Sequence, residues 1–170
     1  MISELTSQVV AFKEVPDFET DVFFDWALDM MILGYESEAL YAVAGLKKPA
    51  LYYETISYVE EALRDLGIDI KEGEEAILSY SSYFIKKIAI GEDVKVNLAR
   101  VFRYCRDHNY ESSVYDFYLL WWAWDDLDYG NEQQYYWPEA NGKDIIDVVV
   151  EQAKKWLIEN RFRLSWAEEK

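Results

Sequence analysis

The sequence predicts an all-α protein, and three observations carry that reading. Apolar residues recur at gaps of three and four almost throughout, no segment sustains the two-residue alternation of a half-buried strand, and Gly, Asn and Pro fall between the periodic stretches. Consecutive helices joined by tight turns are usually antiparallel neighbours, so the expected architecture is a compact irregular helical bundle or short α-solenoid of about seven antiparallel helices. The stretches differ too much in length and sequence to form a repeat.

The first predicted helix covers residues 18–33, with Val22, Trp26, Ala27, Met30 and Leu33 on one face. Asp17, after Pro16, is placed to cap its N-terminus, and Gly34 supplies a left-handed stop. A short helix follows from about Ser37 to Ala44. The next begins after Pro49 and presents Tyr52, Ile56, Val59, Leu63 and Leu66; Gly67 ends it, and Ile68 is placed to fold back on Leu63. Further helices are expected over Gly73–Ile90, Val94–Asp107, Ser113–Asp128 and Asp144–Leu164. Ile145–Val150 alone invites a strand, but the spacing Ile146, Val149, Val150, Ala153, Trp156, Leu157 restores helical periodicity. The longest break is Tyr129–Gly142, and Ala167–Lys170 reads as a frayed tail.

Length predicts a single domain over residues 1–170, and a content of 51% apolar and 17% aromatic residues is ample for a core. No run approaches the roughly 18 to 20 apolar residues that span a bilayer, and Met1–Phe12 lacks the order of a signal peptide, so the expectation is a cytoplasmic protein without a membrane association. The net charge is −16, concentrated in residues 1–85, which hold 17 acids and 5 bases. Such a balance argues against direct binding of nucleic acid and for attraction to a basic protein.

Ligand counting narrows the chemistry. Cys105 is the only cysteine and His108 the only histidine, which excludes disulfides within the chain, paired-cysteine zinc sites and histidine triads. Asp126, Asp128, Gly130 and Glu132 imitate a calcium loop, but the glycine comes one position early and the final bidentate acid would fall on Trp137. No metal site and no cofactor are predicted. Cys105 and His108 share a helix face, yet Val94, Leu98, Val101, Phe102 and Cys105 form an apolar stripe, so the thiol reads as core and His108 as a C-terminal complement to the helix dipole.

Two features point toward function. The first is the row Asp17, Asp21, Asp25, Asp29 at every fourth position. Stacked like charges cost roughly 0.2 to 0.5 kcal/mol per pair, so they call for cations or a use. Arg100, Arg103 and Arg106 form an opposite row, which leaves three accounts: internal pairing of the rows, pairing between copies in a homo-oligomer, or a basic protein partner. The expected function is a non-enzymatic interaction module that binds such a partner through Asp21, Asp25 and Asp29, with Phe23 or Tyr35 as apolar contacts if exposed. Toxin inhibitors and acidic mimics of nucleic acid offer a physical analogy. The second feature is the aromatic run from Tyr115 to Trp137. A helix apolar nearly all round is ordinarily buried centrally. The alternative keeps Tyr118 and Trp122, with Tyr135, Tyr136 and Trp137, as a stacking surface for a small molecule or carbohydrate, and makes Asp125, Asp126 or Asp128 the acid or base of a hydrolase.

Overall fold

A computed structural model describes residues 1–48, 51–130 and 133–164. Among them are eight α-helices and no strand: α1 (Thr6–Val9), α2 (Asp21–Ile32), α3 (Glu38–Ala44), α4 (Tyr52–Asp65), α5 (Gly73–Ala89), α6 (Val94–Asp107), α7 (Tyr115–Asp128) and α8 (Ile145–Leu164). Short 3-10 turns lie at Phe12–Glu14 and Ser112–Val114. The all-α prediction holds, with helix packed on helix. No described helix is long and apolar enough to cross a membrane. The expected tail at Ala167–Lys170, and Pro49 and Glu132, lie outside the described residues.

The described residues gather into two compact units, one of Met1–Tyr80 with Arg163 and Leu164, the other of Ser81–Phe162. The division falls inside α5, where an uninterrupted helical pattern gives no linker signal in the sequence.

In the first unit, α2 packs on α1 and α3, and α3 packs on α4. The inward face of α2 is Phe23, Trp26, Ala27 and Met30, all fully buried. That corrects the expected face: Leu33 is exposed and Val22 half-buried. Around it Phe12, Phe18 and Phe23 form an aromatic knot, with Phe18 stacked on Phe23 at 4.7 Å between centroids and Phe12 edge-on to Phe23 at 5.5 Å. The Trp26 indole Nε1 donates to Thr6 Oγ1 at 3.0 Å, which satisfies a buried donor and fastens α1 to α2. α1 itself escaped sequence reading, because four residues show no period and three of them, Thr6, Ser7 and Gln8, are buried polar groups.

Both predicted glycine stops operate. Gly34 and Gly67 take positive φ (89° and 64°), and in the second case Ile68 N–H donates to the Leu63 carbonyl at 2.8 Å while both side chains are buried in the core. The expected cap at Asp17 does not form. α2 begins at Asp21 with Thr20 before it and no side-chain cap bond, while Asp17 sits in the preceding turn at φ 52°. Ser37 does cap α3, accepting from Leu40 N–H at 3.1 Å.

In the second unit, α6 packs on α7. α6 buries Val94, Leu98, Val101, Phe102 and Cys105 as predicted, and α7 buries Phe117, Leu120, Ala123 and Trp124. α8 turns Ile145, Val149, Ala153 and Trp156 inward, one position off the predicted start, with Ile146 exposed. Trp156 meets Phe117 edge-on at 6.3 Å and donates from Nε1 to the Ser113 carbonyl at 2.6 Å; Gln152 Nε2 donates to Asp116 Oδ2 at 2.7 Å. The Gln133–Gly142 part of the long loop is organised by the buried Gln134 side chain. Its amide nitrogen donates to the Trp137 and Ala140 carbonyls, and its oxygen accepts from Trp137 N–H at 2.8 Å.

Candidate functional site

The outward face of α2 is set by the helix period. With Phe23, Trp26, Ala27 and Met30 fixed inward, positions 21, 25, 28, 29 and 32 fall within one outward arc at about 100° per residue. Asp21, Asp25, Leu28, Asp29 and Ile32 are accordingly exposed, Ile32 at 84%. Three carboxylates therefore frame two aliphatic side chains on a single surface. Met31 and Leu33 widen the apolar part at the C-terminal end.

The carboxylates are not equivalent. Asp25 pairs with Lys48 at 2.8 Å, and that ammonium also lies 4.6 Å from the Phe24 ring centroid. Asp29 accepts from Ser3 Oγ at 2.9 Å. Asp21 has no hydrogen bond or ion pair among the described residues, and its charge faces the positive end of the helix dipole. Arg106 pairs with Asp107 at 2.9 Å, and Arg103 Nε donates to the Ala99 carbonyl at 3.3 Å. The partners of Asp25, Asp29, Arg103 and Arg106 thus come from within their own units. Of the expected apolar contacts, Phe23 is fully buried and unavailable, and Tyr35 is half-buried with its hydroxyl donating to the Met1 carbonyl at 3.3 Å. The apolar side chains exposed on that face are instead Leu28 and Ile32. Reading one buried face from the sequence concealed them, since exposed aliphatics look like core.

The aromatic run is split rather than buried centrally. One side of α7 is core, and the other carries Tyr118 and Trp122 half-exposed against Phe102 of α6, with the exposed Tyr115 stacked on Tyr118 at 5.4 Å. Phe102 stacks on Tyr118 at 5.1 Å and on Trp121 at 5.3 Å, and meets Trp122 edge-on at 5.7 Å. Tyr136 of the long loop stacks on Trp122 at 6.2 Å with 43% of its surface exposed. Tyr135 points to solvent at 83% exposure, and Trp137 is half-buried. So Tyr118, Trp122 and Tyr136 come together, whereas Tyr135 and Trp137 make no ring contact with them among the described residues.

Asp125 and Asp126, three and four residues after Trp122, are half-buried on its side of α7. Asp128 is engaged elsewhere, in an ion pair with Lys95, whose ammonium lies 5.5 Å from the Trp124 centroid.

Nucleophilic chemistry at Cys105 finds no support. The side chain is fully buried, and burial, with the nearby Glu111 carboxylate, pushes its thiol up from an ordinary 9.0 to about 11. His108 occupies the C-cap of α6, with Nδ1 2.9 Å from the Tyr104 carbonyl. Among the described residues, no group of three or more His, Cys, Asp and Glu side chains is arranged to hold a metal ion. No protein-family model matches the chain, and no curated protein or solved structure matches it.

Proposed function

We propose that the protein is a non-enzymatic interaction module that binds a basic protein through the outward face of α2. The observation that supports this most strongly is the composition of that face: Asp21, Asp25 and Asp29 beside exposed Leu28 and Ile32. Carboxylates would steer a cationic partner and reject acidic ones, while the aliphatic pair would supply the desolvated contact on which affinity depends. Neither part suffices alone. The test is capture from native lysate eluted in rising salt, with Asp21/Asp25/Asp29→Asn and Ile32→Ser variants in parallel. A basic protein released by salt from wild type and lost by both variants is expected. Equal retention by all three, or an affinity flat across a salt series, would defeat the reading.

A second reading rests on the half-exposed rings of the other unit. Trp122 and Tyr136 stack beside Asp125 and Asp126, a grouping suited to a sugar or other planar ligand. Saturable quenching of tryptophan fluorescence by an oligosaccharide, absent in Trp122→Ala, would favour it over the first.

A further inference from the structure

The first unit contains an open cleft of about 490 Å³ that the α2 surface does not use, lined by Phe12, Lys13, Val15, Asp17, Phe18, Tyr52 and Tyr53. Its size falls in the range of small-molecule sites. Four of the seven lining residues are aromatic, and they form a braced wall: Phe12 lies 6.4 Å from Phe18 and 6.5 Å from Tyr52, and Tyr52 meets Tyr53 edge-on at 5.8 Å. Tyr53 is 89% exposed, so its ring is committed to solvent rather than to the core.

The cleft is lined by one cation, Lys13, and one carboxylate, Asp17, and the cation is already engaged, its ammonium 5.8 Å from the Phe12 ring centroid. Lys13 is answered by Glu60, 2.7 Å from its ammonium, and Glu60 lines an adjoining cleft of about 300 Å³ that shares Lys13. Asp17 has no hydrogen bond or ion pair among the described residues. It is also held in the left-handed region at φ 52°, a conformation that Asp and Asn tolerate better than other side chains with a Cβ. Burial pushes the Tyr52 phenol up from 10.0, with Lys13 acting against it, so that hydroxyl stays neutral and available as a donor at physiological pH. The lining thus offers the half-buried Tyr52 and exposed Tyr53 rings, the edge of a buried Phe18, and one carboxylate with no protein partner among the described residues.

We propose that this cleft binds a small organic cation, an ammonium carried on an apolar body, with Asp17 as counter-ion and Phe18, Tyr52 and Tyr53 as the aromatic wall. Ring quadrupoles attract a cation while rejecting an anion, and a positive ligand also suits a chain of net charge −16. The site is independent of the α2 reading, because Asp17 precedes that helix and the residues tested there lie outside the cleft lining.

The experiment titrates the full chain with (4-hydroxyphenyl)trimethylammonium and with 4-tert-butylphenol, its neutral counterpart of nearly the same shape, and follows amide chemical shifts by nuclear magnetic resonance. Saturable shifts at Asp17, Phe18 and Tyr53 are expected for the cation, with the neutral phenol at least about ten-fold weaker. Asp17→Asn, which keeps a residue tolerant of left-handed backbone, should weaken the cation about five-fold, and Tyr53→Ala, at an exposed ring, about three-fold. Equal binding of the two phenols, shifts mapping elsewhere, no saturation, or indifference to both substitutions would overturn the proposal. Tighter binding of an arginine-rich peptide at the same amides would overturn the small-molecule assignment.

Discussion

Replacing Asp21, Asp25 and Asp29 by Asn should leave the fold nearly as stable as before, and the structure allows the balance to be worked out. Two like-charge pairs at four-residue spacing, 21 with 25 and 25 with 29, are relieved, a gain of about 0.4 to 1 kcal/mol in all. Asp29 opens the last turn of α2, where a negative charge opposes the dipole, so its removal adds about 0.3 to 1 kcal/mol, and an Asn oxygen can still accept from Ser3. Against this, Asp21 loses a first-turn dipole interaction of about 0.3 to 1 kcal/mol, and the exposed Lys48 pair of Asp25 is worth about 0 to 1 kcal/mol. The triple variant should therefore fall within about 1.5 kcal/mol of wild type, with Asp29→Asn raising stability and Asp21→Asn lowering it. Urea unfolding followed by far-ultraviolet circular dichroism measures this, at low salt and again in roughly 1 M salt, where a Debye length of about 3 Å should shrink the differences between variants. A loss above about 2 kcal/mol would refute the reasoning. The carboxylates would then be structural, and the binding comparison would be confounded by misfolding.

Two further outcomes probe the frame behind the surfaces. Thr6→Val preserves side-chain shape but leaves the buried Trp26 indole without its acceptor, so chemical unfolding should report a loss of about 1 to 3 kcal/mol, and the Trp26→Phe/Thr6→Val pair should cost less than the sum of its singles. Cys105 holds its proton in the folded chain up to about 11, whereas the unfolded thiol releases it near 9.0. The unfolded state therefore binds fewer protons between those values, and this thiol's contribution, fully present below pH 9, is lost as pH rises toward 11, on the order of 2 kcal/mol. Cys105→Ala should flatten that part of the alkaline stability profile, and native Cys105 should resist thiol reagents at neutral pH.

What the sequence revealed was local chemistry. Val59 and Leu63 at four-residue spacing, followed by Gly67 and Ile68, specify both the buried face of α4 and its end, because every group involved lies within one or two turns. The face of α2 was misjudged because Trp26, Ala27 and Met30 belong to two overlapping arcs, and the exposed Leu28, Met31, Ile32 and Leu33 blur the contrast that would choose between them. α7 posed the same difficulty more severely: apolar almost all round, it gave no internal reason to prefer one side, and its two sides are distinguished by other helices, Trp156 of α8 meeting Phe117 in the core and Phe102 of α6 meeting Tyr118 and Trp122 on the half-exposed side. Asp17 kept the fourfold spacing of the row but not its helix, since the turn after Pro16 ends three residues later than the pattern implied. The cleft left no signal at all. Its wall joins residues 12–18 to residues 52–53, a meeting that depends on tertiary contacts no single sequence displays.

The Gln134 amide has a meaning for recognition that its hydrogen bonds alone do not convey. Tyr136 stacks on Trp122 from a segment whose backbone is already tied by one side chain to the Trp137 and Ala140 carbonyls. A ligand laid against those rings would meet a surface whose ordering entropy was surrendered during folding, so little of its binding energy would go to immobilising the loop. Even a weak stacking contact could then be selective, because ring spacing and tilt are set before the ligand arrives.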